Sequence, residues 1–513
     1  MDLFFTSIIE SLRMCVDPWL LFLIFLAVIW GNIVGALPGV GPTMGVAIAL
    51  PFTFGLTAEQ AIAVLIAVNC ADSYGNSIPA VLLGVPGGSS TILTAIDGYA
   101  LHKQGKTGLA LGVQFYAAVM GQFLSNFFFF ATVVPLAQLT YILLSPEMFA
   151  LYFLGISAVI GITGDNIVKG LVAATFGFAI TLVGRDPVSA VTRYSYFIES
   201  TRGLEVTPVV VGLLAVGELF RQMRQSFDWG VGVSGKITAR FPPWKTLWGM
   251  TPKVILGAGI GSIVGAIPGL GGAQAAFISY TQAKMWSKHP ELFGHGAIDG
   301  LAANESAQNA SQAGEMVPTF GLGIPGSNTM VLLFAALIMH GFYPGPMLVT
   351  QAPQLFYSAG AGLWATTFML ALMGWPLCMV LYRVLTVDRT LILVSALGLC
   401  ILGVWTINGS TFDVFVMLFF GVIGYFMMRY GYPVAAASIT IVLGRGCEAY
   451  LRRGLVITDG NWWAFLSRPW TALILCISIA LLIYGTIGTI RLARKAAEIK
   501  KQRVADHLTK ISA

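Results

Sequence analysis

Charged side chains are scarce in this sequence. Asp, Glu, Lys and Arg make up 10% of its 513 residues, against 56% hydrophobic residues, whereas a soluble globular domain carries about 25% charged residues. So few charges cannot cover a water-facing surface. That excludes a soluble enzyme or binding module and leaves lipid as the solvent for most of the exterior. The six cysteines (Cys15, Cys70, Cys378, Cys400, Cys447, Cys476) are scattered without a C-x-x-C pair, so neither a disulfide framework nor a zinc ribbon is expected. Five of them lie in or beside apolar segments and read as small packing hydrophobes. The five histidines show no metal-ligand spacing, and no G-x-S-x-G elbow is present. Gly105-Lys106-Thr107 looks like the end of a phosphate loop, but the glycine needed five residues earlier is Ala100. No enzymatic activity, cofactor, transition-metal site or nucleic-acid partner is expected. The N-terminus lacks the basic n-region and A-x-A site of a cleavable signal peptide, and residues 1–14 read as a short amphipathic segment.

What the chain has instead is apolar runs of membrane-crossing length. Spanning a bilayer core takes roughly 20 apolar residues, and candidates fall at 19–37, 108–142, 146–163, 166–184, 206–222, 252–268, 358–384, 389–407, 412–430, 432–444 and 470–492. Unbroken runs without alternation select helices over a barrel. The expected fold is an all-α polytopic membrane protein with about 11–12 transmembrane helices, plus broken helices or hairpins from the shorter apolar pieces 43–56, 59–71, 77–96, 273–286 and 316–339. The formal net charge is +6, and residues 491–513, with seven Lys or Arg against Glu498 and Asp506, supply +5 of it. A basic tail after the last span is expected on the cytoplasmic side, as is the basic loop 221–245.

The chain repeats itself. Residues 31–42, GNIVGALPGVGP, recur at 261–272 as GSIVGAIPGLGG, with eight of twelve positions identical 230 positions later. Residues 75–87, GNSIPAVLLGVPG, recur at 314–326 as GEMVPTFGLGIPG, now 239 positions later. The nine extra residues are assigned to SKHPELFGHG at 287–296. The expected organisation is a first membrane repeat over 15–222, a basic linker at 223–249, a second repeat over 250–445, a connecting loop and last helix over 446–492, and the tail at 493–513. Such duplications build many transporters, commonly with the copies inverted in the membrane, and inversion is expected here.

Each copy carries two Pro-Gly segments. Proline removes a backbone donor and glycine permits close approach and φ > 0. Pro38, Gly39 and Gly41, with Pro268, Gly269 and Gly271, are therefore expected to break helices at membrane depth. Pro86, Gly87 and Gly88, with Pro325 and Gly326, are expected to form hairpin tips. Irregular backbone survives there only when buried in protein or lining a cavity. The residues that follow, Ser89, Ser90 and Thr91 in one copy and Ser327, Asn328 and Thr329 in the other, can cap a new helix or donate to a bound carboxylate. Between the segments lie the polar stretches 69–77 and 304–315, nearly free of Lys, Arg and Pro. They read as aqueous loops or as an intramembrane site; Asn69, Asp72, Asn76, Asn304, Glu305, Asn309 and Glu315 are the candidate cation ligands.

At these paired blocks, GALPGVGP with GAIPGLGG and GVPGGSST with GIPGSNTM, the sequence resembles the large membrane subunit of the tripartite tricarboxylate transporters, the TctA type. The resemblance runs over about residues 15–492. It implies a bacterial inner-membrane permease for di- and tricarboxylates such as citrate, served by a periplasmic substrate-binding protein and a small four-helix membrane subunit, and driven by an ion gradient. A stand-alone symporter, a channel and a membrane-embedded enzyme are the alternatives. No Lys or Arg occurs in 31–101 or 297–382, so a multiply charged substrate needs co-transported cations. Symport is expected, with Na⁺ favoured over H⁺ because neutral oxygen ligands suit a hard cation.

Overall fold

The computed structural model describes residues 2–37, 41–139, 143–163, 166–186, 189, 191–195, 203–224, 240–381 and 389–512. The first half contains α1 (Asp2–Met14), α2 (Pro18–Gly35), α3 (Pro42–Ala49), α4 (Ala58–Gly75), α5 (Ser77–Leu83), α6 (Ile92–Lys103), α7 (Thr107–Leu139), α8 (Ser145–Thr163) and α9 (Ile167–Thr181). A two-stranded hairpin follows, β1 (Gly184–Arg185) and β2 (Thr192–Arg193), then α10 (Val206–Val211) and α11 (Gly217–Arg224), separated by one π-helical turn. The second half contains α12 (Trp244–Gly249), α13 (Thr251–Gly265), α14 (Gly271–Met285), α15 (Ile298–Leu322), α16 (Asn328–Met339), α17 (Pro346–Gln351), α18 (Pro353–Leu381), α19 (Arg389–Asn408), α20 (Thr411–Arg429), α21 (Val434–Ile457), α22 (Trp462–Leu466) and α23 (Pro469–Ser512). Among the described residues, eight helices are long and apolar enough to cross a membrane, and six shorter apolar helices accompany them. The chain is an all-α, multi-pass membrane protein. The long apolar stretch 108–142 is a single helix, α7, over its described length.

Two compact units form, and their boundary does not fall at the basic linker. One contains Met1–Ile142 and Leu204–Phe426, the other Leu143–Gly203 and Met427–Ala513. Each unit therefore draws on both sequence halves. In the smaller unit α8 packs on α21 and α23. There Arg193 and Arg452 pair with Asp186 and Glu448, at distances of 2.6–3.1 Å.

The larger unit holds the repeated segments. α2 packs on α4, and α13 packs on α15. The matching glycines explain how closely: a Cβ on Gly35 would lie 2.4 Å from the Asp72 carbonyl oxygen, and one on the equivalent Gly265 would lie 2.6 Å from that of Ser311. Backbones this near exclude any side chain at either glycine. The polar stretches 69–77 and 304–315 are buried helix rather than aqueous loops. α4 starts from a capping box of Thr57 and Gln60 and is buried from Leu65 to Gly75, and α15 is buried from Gly300 to Gly321.

Those helices cross antiparallel. Asn69 bonds Gln312, Ser73 bonds Gln308, and Ser77 bonds Glu305, so the partner number falls as the chain number rises. By the repeat, position 69 corresponds to 308 and 73 to 312. The contacts 69–312 and 73–308 thus exchange into one another, as an axis of two-fold symmetry perpendicular to the helices requires.

Candidate functional site

All four Pro-Gly segments interrupt helices, each in its own way. α2 ends at Gly35 with Ala36 as its C-cap, and α3 begins at Pro42; Pro38, Gly39 and Val40 lie outside the described residues. In the second copy α13 ends at Gly265, and α14 starts at Gly271 with Gly269 (φ +87°) and Gly271 (φ +67°) in the left-handed region. Gly41 differs from the expectation of a conformationally demanding glycine: its φ is −81°, and a Cβ there would meet nothing within 4 Å.

The hairpin tips close on glycines that the sequence marks only as repeated positions. Gly84 (φ +67°) ends α5 and Gly323 (φ +71°) ends α15, each a left-handed C-terminal cap. The tips then lock against helix backbone. A Cβ on Gly87 would lie 2.5 Å from the Asn76 carbonyl oxygen, and one on Gly326 would lie 2.4 Å from that of Glu315. Ser327 Oγ caps α16 by accepting from Met330 N at 3.3 Å. Thr91 Oγ1 closes the first tip, donating to Gly88 O at 2.9 Å. Ser89 is exposed and Ser90 partly so.

Tips and broken helices meet. Gly269 N donates to Gly326 O at 3.0 Å, joining both breaks of the second copy. Across the copies, Thr43 Oγ1 of α3 lies 3.2 Å from Thr329 Oγ1 of α16, and a Cβ on Gly272 of α14 would lie 3.8 Å from Ser90 Cβ. Each copy's tip therefore reaches the other copy's broken helix.

Beneath this junction runs a buried polar layer. Glu305 is enclosed by donors: Ser77 Oγ is 2.9 and 2.8 Å from its two oxygens, Gln308 Nε2 donates at 3.0 Å, and Thr94 Oγ1 donates to Oε1. Asn304 Nδ2 in turn donates to Thr94 at 2.5 Å. Glu315 Oε1 lies 3.4 Å from a Cβ placed on Gly271, at the start of α14. Asn309 Nδ2 donates to Glu305 O within its own helix, at 2.9 Å. Asp72 accepts from Asn76 Nδ2 at 3.3 Å through Oδ1. None of the ion pairs among the described residues includes Asp72, Glu305 or Glu315.

Sequence reading did not single out Ser77, Thr94, Gln308 or Gln312. Three of these stand inside or beside the polar stretches, where their composition was the signal; Thr94, on an apolar helix, carried none. Asp97 was also missed. It is buried on α6 and ties down the 287–296 insertion, accepting from Tyr280 Oη at 2.7 Å, Gly294 N at 2.8 Å and Gly296 N at 2.9 Å. A cavity of about 370 Å³ beside α2, α3 and α19 is lined by Leu26, Trp30, Phe52 and Leu399, with Thr53 as its one hydroxyl. Those walls offer a carboxylate nothing.

Residues 21–439 match the model of the family described as the tripartite tricarboxylate transporter TctA family. A protein of Agrobacterium vitis, described as an uncharacterized 52.8 kDa protein in the TAR-I ttuC′ 3′ region, is 32% identical over 471 residues, which cover 92% of this chain and 94% of that protein. Another from the same organism, described as an uncharacterized protein in the TAR-II ttuC′ 3′ region, is 34% identical over 234 residues, 46% of this chain and 97% of that protein. No solved structure matches the chain.

Proposed function

The chain belongs to the TctA family of tripartite tricarboxylate transporters, and we propose that it is the permease subunit of a secondary transporter importing small di- or tricarboxylates into bacterial cells across the inner membrane. One observation carries this reading beyond family membership. The tip of each repeat meets the broken helix of the other above a buried layer of neutral donors and carboxylates on α4 and α15, within the ranges 31–101 and 297–382 that contain no Lys or Arg. A helix N-terminus supplies only about half a positive charge, so a multivalent anion there requires added cations. Cation symport follows, with Na⁺ ahead of H⁺. A periplasmic binding protein delivers the substrate, and a small membrane subunit completes the complex. The C-terminus is cytoplasmic and the two repeats are inverted, consistent with the antiparallel crossing of α4 and α15.

The test is uptake of labelled di- and tricarboxylates by proteoliposomes holding the complex, with binding protein outside. The reading expects accumulation driven by an inward Na⁺ gradient at equal pH. No accumulation of any carboxylate under Na⁺ or proton gradients would refute it. Accumulation under a proton gradient alone would replace Na⁺ by H⁺.

A further inference from the structure

Three acceptors lie along one face of α4 and its C-cap. Asn69, Asp72 and Asn76 are spaced i, i+3, i+7, on one side of the helix, and each is at most 2% exposed. The amide groups are oriented by their donors: Asn69 Nδ2 donates to Gln312 Oε1 at 2.6 Å and Asn76 Nδ2 to Asp72 Oδ1 at 3.3 Å. Turning either amide over would set two acceptors against each other. Asn69 Oδ1, Asp72 Oδ2 and Asn76 Oδ1 are left as buried oxygens without a hydrogen-bond partner.

The surroundings of Asp72 suit a cation. Its Oδ2 faces Gly45 of α3, where a Cβ would lie 3.0 Å away, and its backbone lies against Gly35, the last residue of α2. The carboxylate thus stands beside the first turn of α3, while the Asp72 backbone lies against the end of α2. The Asn76 amide lies against the tip, its Oδ1 3.6 Å and its Nδ2 3.7 Å from a Cβ placed on Gly88. A buried carboxylate with an oxygen facing no donor takes up a proton or a cation, and oxygen-lined breaks in membrane helices accept Na⁺.

The second repeat does not reproduce the arrangement. The positions equivalent to Asn69, Asp72 and Asn76 are Gln308, Ser311 and Glu315. Ser311 has no carboxylate, and its Oγ donates to Gln308 O at 2.8 Å. The Glu315 carboxylate lies at the start of α14, its Oε1 3.4 Å from a Cβ placed on Gly271, and Glu305 is held by Ser77, Thr94 and Gln308. Of the three buried carboxylates on α4 and α15, Asp72 is the one with a fully buried oxygen that meets no donor.

We infer that Asp72 Oδ2 and Asn76 Oδ1 bind Na⁺ in the first repeat, that Glu305 is a structural clamp between α15 and the first hairpin, and that the second repeat has no equivalent cation site. What the cation does rests on the permease reading above; where it binds does not.

The test measures Na⁺-dependent thermal stabilisation and ²²Na⁺ binding on the purified full chain, without carboxylate, in choline-balanced buffer at fixed pH. Wild type is expected to show saturable Na⁺ stabilisation. Asp72→Asn should abolish it while melting normally in Na⁺-free buffer, and Asn76→Ala should raise the half-saturating Na⁺ about tenfold, as loss of one ligand worth a factor of ten in affinity. Glu305→Gln should lower the melting temperature yet keep half-saturation within about threefold. If Asp72→Asn does not fold, Asn76→Ala decides the matter, and an unchanged half-saturation there overturns the site. So does Na⁺ binding that survives Asp72→Asn, or stabilisation that follows pH and ignores Na⁺. Na⁺ binding lost in Asp72→Asn, with no carboxylate taken up by wild type, refutes the permease reading and leaves the site standing; Na⁺-driven uptake that survives Asp72→Asn does the reverse.

Discussion

Gly326→Ala tests whether the hairpin tips must lie against helix backbone. An added Cβ would sit 2.4 Å from the Glu315 carbonyl oxygen, 2.9 Å from Glu315 Cα and 3.0 Å from its carbonyl carbon. A carbon rests no closer than about 3.3 Å to such an oxygen, so something must move by about 1 Å. α15 is packed between α7 and α13, so the tip is what shifts. Two bonds hold it, Gly326 N to Thr319 Oγ1 at 3.3 Å and Gly269 N to Gly326 O at 3.0 Å. Losing one costs about 0.5–1.5 kcal/mol, and overpacking adds about 1–3 kcal/mol, for a total of about 1.5–4.5 kcal/mol. The assay pairs the melting temperature of purified protein with uptake in proteoliposomes. The variant should reach the membrane, melt lower and lose at least about tenfold of its uptake, since 1.4 kcal/mol is already tenfold. Gly259→Ala is the control: it lies in α13, a Cβ there meets nothing within 4 Å, and removing a mid-helix glycine should stabilise by up to about 1 kcal/mol. Uptake by Gly326→Ala within twofold of wild type would refute the close-approach argument. Equal damage from both substitutions would trace the effect to glycine flexibility instead.

Other outcomes follow from the same geometry. Lys106→Cys, in the loop after α6, and Tyr343→Cys, in the equivalent loop after α16, should react with an impermeant maleimide from opposite sides of the membrane; labelling from one side would eliminate inversion while leaving the duplication intact. Asp97→Ala removes the acceptor for Tyr280 Oη and two backbone amides, a loss of about 2–4 kcal/mol, and should speed tryptic cleavage after Lys288; unchanged cleavage would show the insertion is held elsewhere. Arg193→Ala takes a guanidinium from Asp186 and Glu448, whose side chains are 3% and 10% exposed. It should cost about 1–3 kcal/mol, between exposed and buried pairs, read as a lower melting temperature.

The sequence exposed the backbone plan far better than the side-chain plan. Proline and glycine act locally, so the segments around Gly39, Gly87, Gly269 and Gly326 identify helix breaks without any knowledge of the fold. Polar residues in an apolar chain also show themselves, and the stretches 69–77 and 304–315 were legible as unusual. Which polar group meets which was not. The partners of Glu305 lie 228 residues away at Ser77 and 211 away at Thr94, and only the antiparallel crossing of α15 with the first hairpin brings them together. Gly84 and Gly323 were missed as caps because left-handed conformation depends on where α5 and α15 stop. The division into units was hidden for a similar reason: it follows packing of α8 with α21 and α23, not the order of the repeats.

Duplication has preserved the backbone requirements in both copies and let the chemistry diverge. Gly35 and Gly265 pair with position 72 and its equivalent 311, and Gly87 and Gly326 with 76 and 315, at nearly the same distances. A side chain at any of these glycines would force apart backbones that each copy must bring together, so neither copy can give them up. The side chains at 72 and 76 face no such rule. Asp72 and Asn76 became, or remained, a carboxylate one turn before an amide, while Ser311 and Glu315 place the hydroxyl first and the carboxylate second. In the second order the carboxylate lies at the start of α14, its Oε1 3.4 Å from a Cβ placed on Gly271, the first residue of that helix. In the first order its Oδ2 lies 3.0 Å from a Cβ placed on Gly45, the fourth residue of α3. Moving one carboxylate by a single turn thus keeps it at the helix that follows its own copy's break, where the dipole is positive, while changing which residue of that helix it meets, and that is how two copies of one backbone can hold different groups.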